Sequence, residues 1–149
     1  MSLVLFEIRD NIALLTLNNP AKRNMLTLEV CEMIVDFVAQ AEKNPDVKAL
    51  IVTGNGPSFC AGGQLGDITA DKLMLENIYS GFLCIAQCSL PTIAAVNGPA
   101  VGAGFNMAVG CDVRIVTEKA RFEPRFFRLG LHPGGGNTCL LYTSDAADE

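Results

Sequence analysis

The chain opens with two short runs in which apolar and polar residues alternate, the pattern of strands with one buried face. They cover residues 3–9 and 12–17, and the Asp-Asn pair between them is typical of a tight hairpin turn. Apolar side chains then recur at helical spacing over residues 27–42, with Thr27 in the position of an N-cap. This part of the chain therefore predicts a β-hairpin followed by an amphipathic helix.

Strands and helices continue to alternate along the rest of the chain. Short, nearly continuous apolar runs at 47–53 and 91–96 predict strands buried on both faces, and 113–117 predicts a further strand. Helical patterns at 71–88 and 102–110 separate them. The alternation predicts an α/β fold.

Two segments of the chain repeat one short pattern 42 residues apart. Each copy has a strand, an Asn-Gly-Pro turn and then an Ala-Gly pair that we expect to begin a helix. Such an echo is typical of two turns of one repeating β-turn-α unit, with coincidence in a glycine-rich chain as the alternative. The matching pairs are Asn55/Asn97, Gly56/Gly98, Pro57/Pro99, Ala61/Ala103 and Gly62/Gly104.

The repeated pattern also suggests a binding or catalytic function. The first N–H groups of a helix lack an intrahelical partner and lie at the positive end of its dipole. Stacked repeats would bring the N–H groups of Ala61 and Ala103 to one small volume, which is how an oxyanion hole is built. The alternative is a pair of tight strand-to-helix turns that bind nothing.

Composition excludes several other classes of protein. The 149 residues suit a single domain, and 16 acidic against 11 basic residues give a net charge of −5, which argues against a general nucleic-acid binder. Six cysteines without a CxxC pair, with one histidine, argue against zinc and for reduced thiols in the cytoplasm. The most apolar stretch, 93–110, is interrupted by asparagine, glycine and proline, and the N-terminus lacks a basic signal sequence. We therefore expect no membrane span and no metal.

Several segments together resemble the enoyl-CoA hydratase/isomerase (crotonase) superfamily. Residues 58–65 (Ser-Phe-Cys-Ala-Gly-Gly-Gln-Leu) resemble its first signature. Residues 95–108 (Ala-Val-Asn-Gly-Pro-Ala-Val-Gly-Ala-Gly-Phe-Asn-Met-Ala) with 111–115 resemble its second. Residues 19–24 are similar to the turn near coenzyme A, and 120–122 and 129–136 to a third region.

The resemblance implies a ββα-spiral fold and acyl-CoA thioesters as ligands, with coenzyme A present only as part of the substrate. It assigns the two oxyanion donors to the N–H groups of Ala61 and Ala103. Lys22 and Arg23 are expected to pair with coenzyme A phosphates, a solvated turn being the alternative. The expected substrate contacts are Lys22, Arg23, Ala61, Gly62, Gly63, Gln64, Leu65, Ala103 and Gly104.

The sequence departs from the family at the catalytic positions. Asn106 and Phe126 stand where family hydratases carry glutamates, and Gln64 replaces a common aspartate. Hydration needs a general acid–base pair, which an amide and a phenyl ring do not supply. Isomerisation or decarboxylation fits better than hydration, because loss of carbon dioxide forms an enolate without a strong base.

Two other proton-handling side chains are candidates for the reaction. His132 lies in the third region, and Asp67 follows the first signature; the alternative for His132 is a surface loop residue. Besides an enzyme, the sequence allows a non-catalytic acyl-CoA-binding protein or an inactive fragment. A dinucleotide-binding fold is disfavoured because the glycines at 98, 102 and 104 lack the GxGxxG spacing.

The C-terminal end also departs from the family pattern. We interpret residues 1–138 as the N-terminal part of the family domain and 139–149 as a non-native tail of a truncated product. The helices with which family members form trimers would then be missing, so a homotrimer or hexamer is expected only of a full-length protein.

Overall fold

The computed structural model describes residues 2–63, 72–130 and 132–139. Its strands are β1 (Val4–Arg9), β2 (Ile12–Leu17), β3 (Ala49–Gly54), β4 (Thr92–Val96), β5 (Pro99–Val101), β6 (Val113–Val116) and β7 (Arg121–Glu123). Its helices are α1 (Leu28–Lys43), α2 (Lys72–Ala86) and α3 (Ala103–Gly110), with 3-10 turns at Pro20–Lys22 and Phe127–Leu129. The predicted α/β class is confirmed.

One sheet has the strand order β1-β2-β3-β4-β6, and β5 and β7 pair in a second, small sheet. The predicted hairpin joins β1 and β2, with Asp10 and Asn11 at φ of 50° and 65°, the left-handed pair that a type I′ turn requires. The pairings from β2 through β3 and β4 to β6 are all parallel. Parallel strands end at the same edge, so the loops after β3 and β4 emerge side by side.

The register of β3 and β4 reproduces the sequence echo. Leu50 pairs with Thr92, and the pairs that follow keep the same offset of 42 residues. At the ends of these strands, the Gly54 N–H donates to Oδ1 of Asn97 at 3.3 Å, and Asn97 Nδ2 donates to the Gly56 carbonyl at 2.8 Å. The two copies therefore lie against each other, as the stacked-repeat interpretation predicts.

Helix α1 forms where the apolar periodicity places it. The Thr27 hydroxyl accepts the Val30 N–H at 3.3 Å as the predicted N-cap, and Asn44, just before a proline, is the C-cap. Its buried face includes Val30, Ile34 and Val38, and the helix packs against α2. No helix among the described residues is long and apolar enough to cross a bilayer.

Burial within the main sheet is less even than the apolar runs predict. Leu50 and Val52 of β3 are fully buried, whereas Ile51 between them is only half-buried, so this strand is not buried equally on both faces. The edge strand β6 is exposed along its whole length, with Ile115 at 62%. Position in the sheet, rather than side-chain type, sets this difference.

Five cysteines, Cys31, Cys60, Cys84, Cys88 and Cys111, are free thiols, as expected. Burial raises the pKa of Cys31 and of Cys60 to about 12, so these thiols are neutral at pH 7. They act as small packing groups in the core.

Candidate active site

A cavity of about 590 Å³ opens at the edge of the sheet where the loops after β3 and β4 emerge. Those loops supply backbone at positions 61–63 and 101–103, and the segment 124–134 supplies part of the opposite wall. Helix α2 contributes mostly apolar side chains: Leu75, Ile78, Tyr79 and Phe82. The cavity thus combines a polar backbone edge with an apolar interior, the usual composition of a small-molecule site.

Ala103 places an unused N–H at the backbone edge of this cavity. It is the first residue of α3, and the helical hydrogen bonds begin only at the Asn106 N–H, which donates to the Gly102 carbonyl at 3.0 Å. The Ala103 N–H has no acceptor among the described residues. It therefore has the position and the freedom that the sequence analysis predicts for an oxyanion donor.

Ala61, the other predicted donor, does not have that freedom. Its N–H donates to the Arg23 carbonyl at 2.9 Å, and Ala61 lies in coil rather than at a helix start. Arg23 reaches it because Arg23 and Asn24 both adopt left-handed backbone, with φ of 52° and 55°. The prediction of a free Ala61 N–H needs correction, since this group holds the first loop to the turn at residues 19–24.

Gly63 provides the unused N–H of the first loop. It lines the cavity, and its N–H has no acceptor in the described part of the chain. The preceding residue, Gly62, has φ of 92°, and a Cβ there would lie 2.7 Å from the Val101 carbonyl oxygen and 3.4 Å from the Ala103 nitrogen. Glycine at 62 therefore allows the first loop to pack directly against the start of α3.

Asn106 and Phe126 both line this cavity, as expected of positions where the resemblance places catalytic glutamates. Asn106 is buried, and both polar atoms of its amide are hydrogen-bonded: Nδ2 donates to the Gly134 carbonyl at 3.0 Å, and Oδ1 accepts from Asn137 Nδ2 at 2.7 Å. Phe126 is half-buried and presents only a ring. Within the described residues that line the cavity, no side chain carries a carboxylate.

The predicted proton-handling residues are only partly accounted for. His132 lines the cavity and is exposed to solvent. Asp67, Gln64 and Leu65 lie outside the described residues. A further carboxylate, that of Glu123, adjoins the lining residues Pro124 and Arg125, but Arg125 and Arg128 pair with it at 2.8 and 3.3 Å, and the hydrogen bond from Arg125 lowers its pKa.

The remaining predicted contacts divide into two groups. The side chains of Lys22 and Arg23 are exposed beside the first loop, have no ionic partner in the described ranges, and do not line the cavity. Gly104 is buried, and a Cβ there would overlap the Cys60 carbonyl. The prediction that Gly104 touches the ligand is therefore not supported, because its place is between α3 and the first loop.

Tyr79 is a cavity residue that sequence reasoning missed. It is half-buried on α2 with its ring 5.5 Å from that of Phe82, and its hydroxyl lies against the backbone of Gly134. Burial raises its pKa above the ordinary value of 10.0. In the sequence its helical spacing is that of a core residue, so the pattern gives no sign that the hydroxyl reaches a cavity.

Comparisons with known proteins match most of the chain. The enoyl-CoA hydratase/isomerase family model matches residues 7–144, which includes part of the segment that the sequence analysis assigns to a tail. Probable enoyl-CoA hydratase EchA14 of Mycobacterium tuberculosis is 46% identical over 145 residues, 93% of this chain and 56% of that protein. The 1,2-epoxyphenylacetyl-CoA isomerase of Escherichia coli is 33% identical over 150 residues, 95% of this chain and 57% of that protein.

Solved structures give the same result. A putative enoyl-CoA hydratase from Thermobifida fusca in complex with CoA superposes with a TM-score of 0.84 at 27% identity, covering 98% of this chain and 61% of that one. The chain therefore has the predicted crotonase-like α/β fold and spans little more than half the length of these relatives. From the family model and the relatives together, the chain belongs to the enoyl-CoA hydratase/isomerase family.

Proposed function

We propose that this protein binds acyl-CoA thioesters and stabilises the enolate form of the acyl group. The observation that carries the proposal is the unused Ala103 N–H at the start of α3, on the polar edge of an apolar cavity that Gly63, with its own unused N–H, also lines. Two such donors suit a thioester oxygen that gains negative charge. The apolar wall from α2 suits the acyl chain.

Among family reactions, isomerisation or decarboxylation fits this cavity better than hydration. The family includes proteins named hydratases and proteins named isomerases. Adding water to a double bond requires a base for the water and an acid for the carbon. The described lining has no carboxylate, and the Asn106 amide is already hydrogen-bonded on both sides.

A second candidate is acyl-CoA binding without turnover. The lack of a carboxylate in the described lining favours it, because the backbone donors can hold a thioester without any proton transfer. In either case Lys22 and Arg23 are our candidates for the coenzyme A phosphates, since their exposed side chains flank the loop that reaches the cavity. The five free thiols support a reducing compartment such as the cytoplasm.

Calorimetric titration of the 149-residue chain tests the proposal. Octanoyl-CoA should bind measurably below millimolar concentration and compete with free coenzyme A, whereas NAD should neither bind nor compete. Absence of heat and of competition up to millimolar octanoyl-CoA would refute acyl-CoA binding by this chain. Turnover of bound thioesters then separates the enzyme from the binding protein.

A further inference from the structure

The Tyr79 hydroxyl is a polar group of the cavity wall that takes no part in the proposed oxyanion hole or in the proposed coenzyme A contacts. Tyr79 lines the cavity from α2, and its hydroxyl makes no hydrogen bond with any described residue. Phe82 fixes the orientation of the ring by an edge contact at 5.5 Å. A Cβ on Gly134 would overlap the hydroxyl, so the absence of a side chain there leaves room for it.

The hydroxyl lies beside the position where a family hydratase would carry a carboxylate. Gly134, which it contacts, accepts the amide hydrogen bond of Asn106 at 3.0 Å. Both polar atoms of the Asn106 amide already have protein partners, since Nδ2 donates to Gly134 and Oδ1 accepts from Asn137. Phe126, on the same cavity, has no exchangeable proton.

We propose that Tyr79 is the catalytic proton donor of this site, delivering its hydroxyl proton to the α-carbon of the thioester enolate. The inference rests on the proposed function. If the enolate arises by decarboxylation, the bond between the α-carbon and the carboxylate carbon breaks. Carbon dioxide leaves, and the electron pair of that bond stays on the enolate. The Tyr79 O–H bond then breaks as the new C–H bond forms, and the resulting phenolate regains its proton from water.

The chemistry of the group is suited to this step. Because its pKa lies above the ordinary value, the phenol is protonated at neutral pH and ready to donate. A thioester enolate is a much stronger base than a phenolate, so the transfer is downhill. An undissociated phenol also hydrogen-bonds an anion strongly before any proton moves.

The test compares Tyr79→Phe with the unaltered chain in the binding of two ligands. Acetoacetyl-CoA enolises readily and butyryl-CoA does not. Loss of a hydrogen bond to an anion should weaken acetoacetyl-CoA binding by about tenfold or more, and butyryl-CoA binding by less than about threefold. Met25→Leu is the matched control, since it changes the apolar lining of the same cavity without removing a hydroxyl and should affect both ligands alike.

The outcomes separate this inference from the proposed function. If the unaltered chain binds neither ligand, acyl-CoA binding fails, and the role of Tyr79 fails with it. If it binds both but Tyr79→Phe changes neither affinity, or both equally, the role of Tyr79 is wrong and acyl-CoA binding stands.

If Tyr79→Phe does not fold, 3-fluorotyrosine in a Tyr142→Phe background replaces it as the test. The more acidic phenol should bind acetoacetyl-CoA more tightly and leave butyryl-CoA binding unchanged. Equal effects on the two ligands would overturn the proposal.

Discussion

The side-chain amide of Asn137 donates to Oδ1 of Asn106 at 2.7 Å, inside the protein and next to the cavity. Both residues are buried, and Asn106 Nδ2 in turn donates to the Gly134 carbonyl. The position to which the resemblance assigns a hydratase glutamate is thus part of an amide network. This network ties α3 to the loop that bears His132.

Removing one side chain of the Asn106–Asn137 pair should lower the free energy of unfolding. Asn137→Ala leaves the buried Asn106 oxygen without a donor, and we expect a loss of about 1–3 kcal/mol in the free energy of unfolding. Urea denaturation measures it. The control is Asn77→Ala, an exposed amide on α2, which should stay within about 0.5 kcal/mol of the unaltered chain. Equal stability of the two variants would contradict the account of the network.

Hydration should be slow. Because the described lining of the cavity has no carboxylate, we expect this chain to hydrate crotonyl-CoA at least about a hundredfold more slowly than a two-glutamate member of the family. The rate of loss of the enoyl absorbance measures this. A rate equal to that of such a relative would show that another acid–base pair, such as Asp67 with His132, performs the reaction.

Asp112 should stabilise the fold in a pH-dependent way. Its carboxylate accepts the Thr92 N–H and hydroxyl, each at 2.8 Å, and these bonds lower its pKa below the ordinary value of 3.8. A lowered folded-state pKa gives stability that is present above the unfolded value and lost as the pH falls through the folded one.

Replacement of Asp112 should therefore matter at neutral pH and not in acid. Since the carboxylate is exposed, Asp112→Ala should lower the free energy of unfolding by about 1 kcal/mol at pH 7, and the difference should shrink below pH 3.8. Urea denaturation across this range measures it, with Asp36→Ala on the exposed face of α1 as the control. A difference independent of pH would contradict the ionic explanation.

Lys22 and Arg23 should act on the coenzyme A end of the ligand. We expect Lys22→Ala with Arg23→Asn, which keeps a residue that tolerates the left-handed backbone, to weaken octanoyl-CoA binding by about fivefold to tenfold. Octanoyl-pantetheine, which lacks the nucleotide phosphates, should bind equally to both proteins. Lys43→Ala is the control, and equal losses for the two ligands would argue against phosphate contacts.

The sequence predicts the elements well because each has a local cause. The Asp10–Asn11 turn, the Thr27 cap and the apolar runs depend on neighbouring residues, and the offset of 42 between β3 and β4 was visible as a repeat. The small strands β5 and β7 were not predicted, since three-residue strands have no period of their own.

The site was predicted less well because its geometry depends on contacts distant in sequence. Ala103 follows from the start of a helix, which the sequence indicates. The occupation of the Ala61 N–H depends on Arg23, 38 residues earlier, in a left-handed conformation that no local signal requires. The hydroxyl of Tyr79 reaches the cavity only because Gly134, far along the chain, has no side chain.

The most direct test of the central claim, that backbone N–H groups hold the thioester oxygen, compares Ala103→Pro with Ala103→Gly. Glycine keeps the donor and proline removes it, and the first position of a helix tolerates proline, so circular dichroism should show both variants folded. Acetoacetyl-CoA should bind the proline variant about 10²–10³-fold more weakly than the glycine variant, as expected for loss of one oxyanion donor. Equal affinity of two folded variants would contradict the assignment of Ala103 to the oxyanion hole.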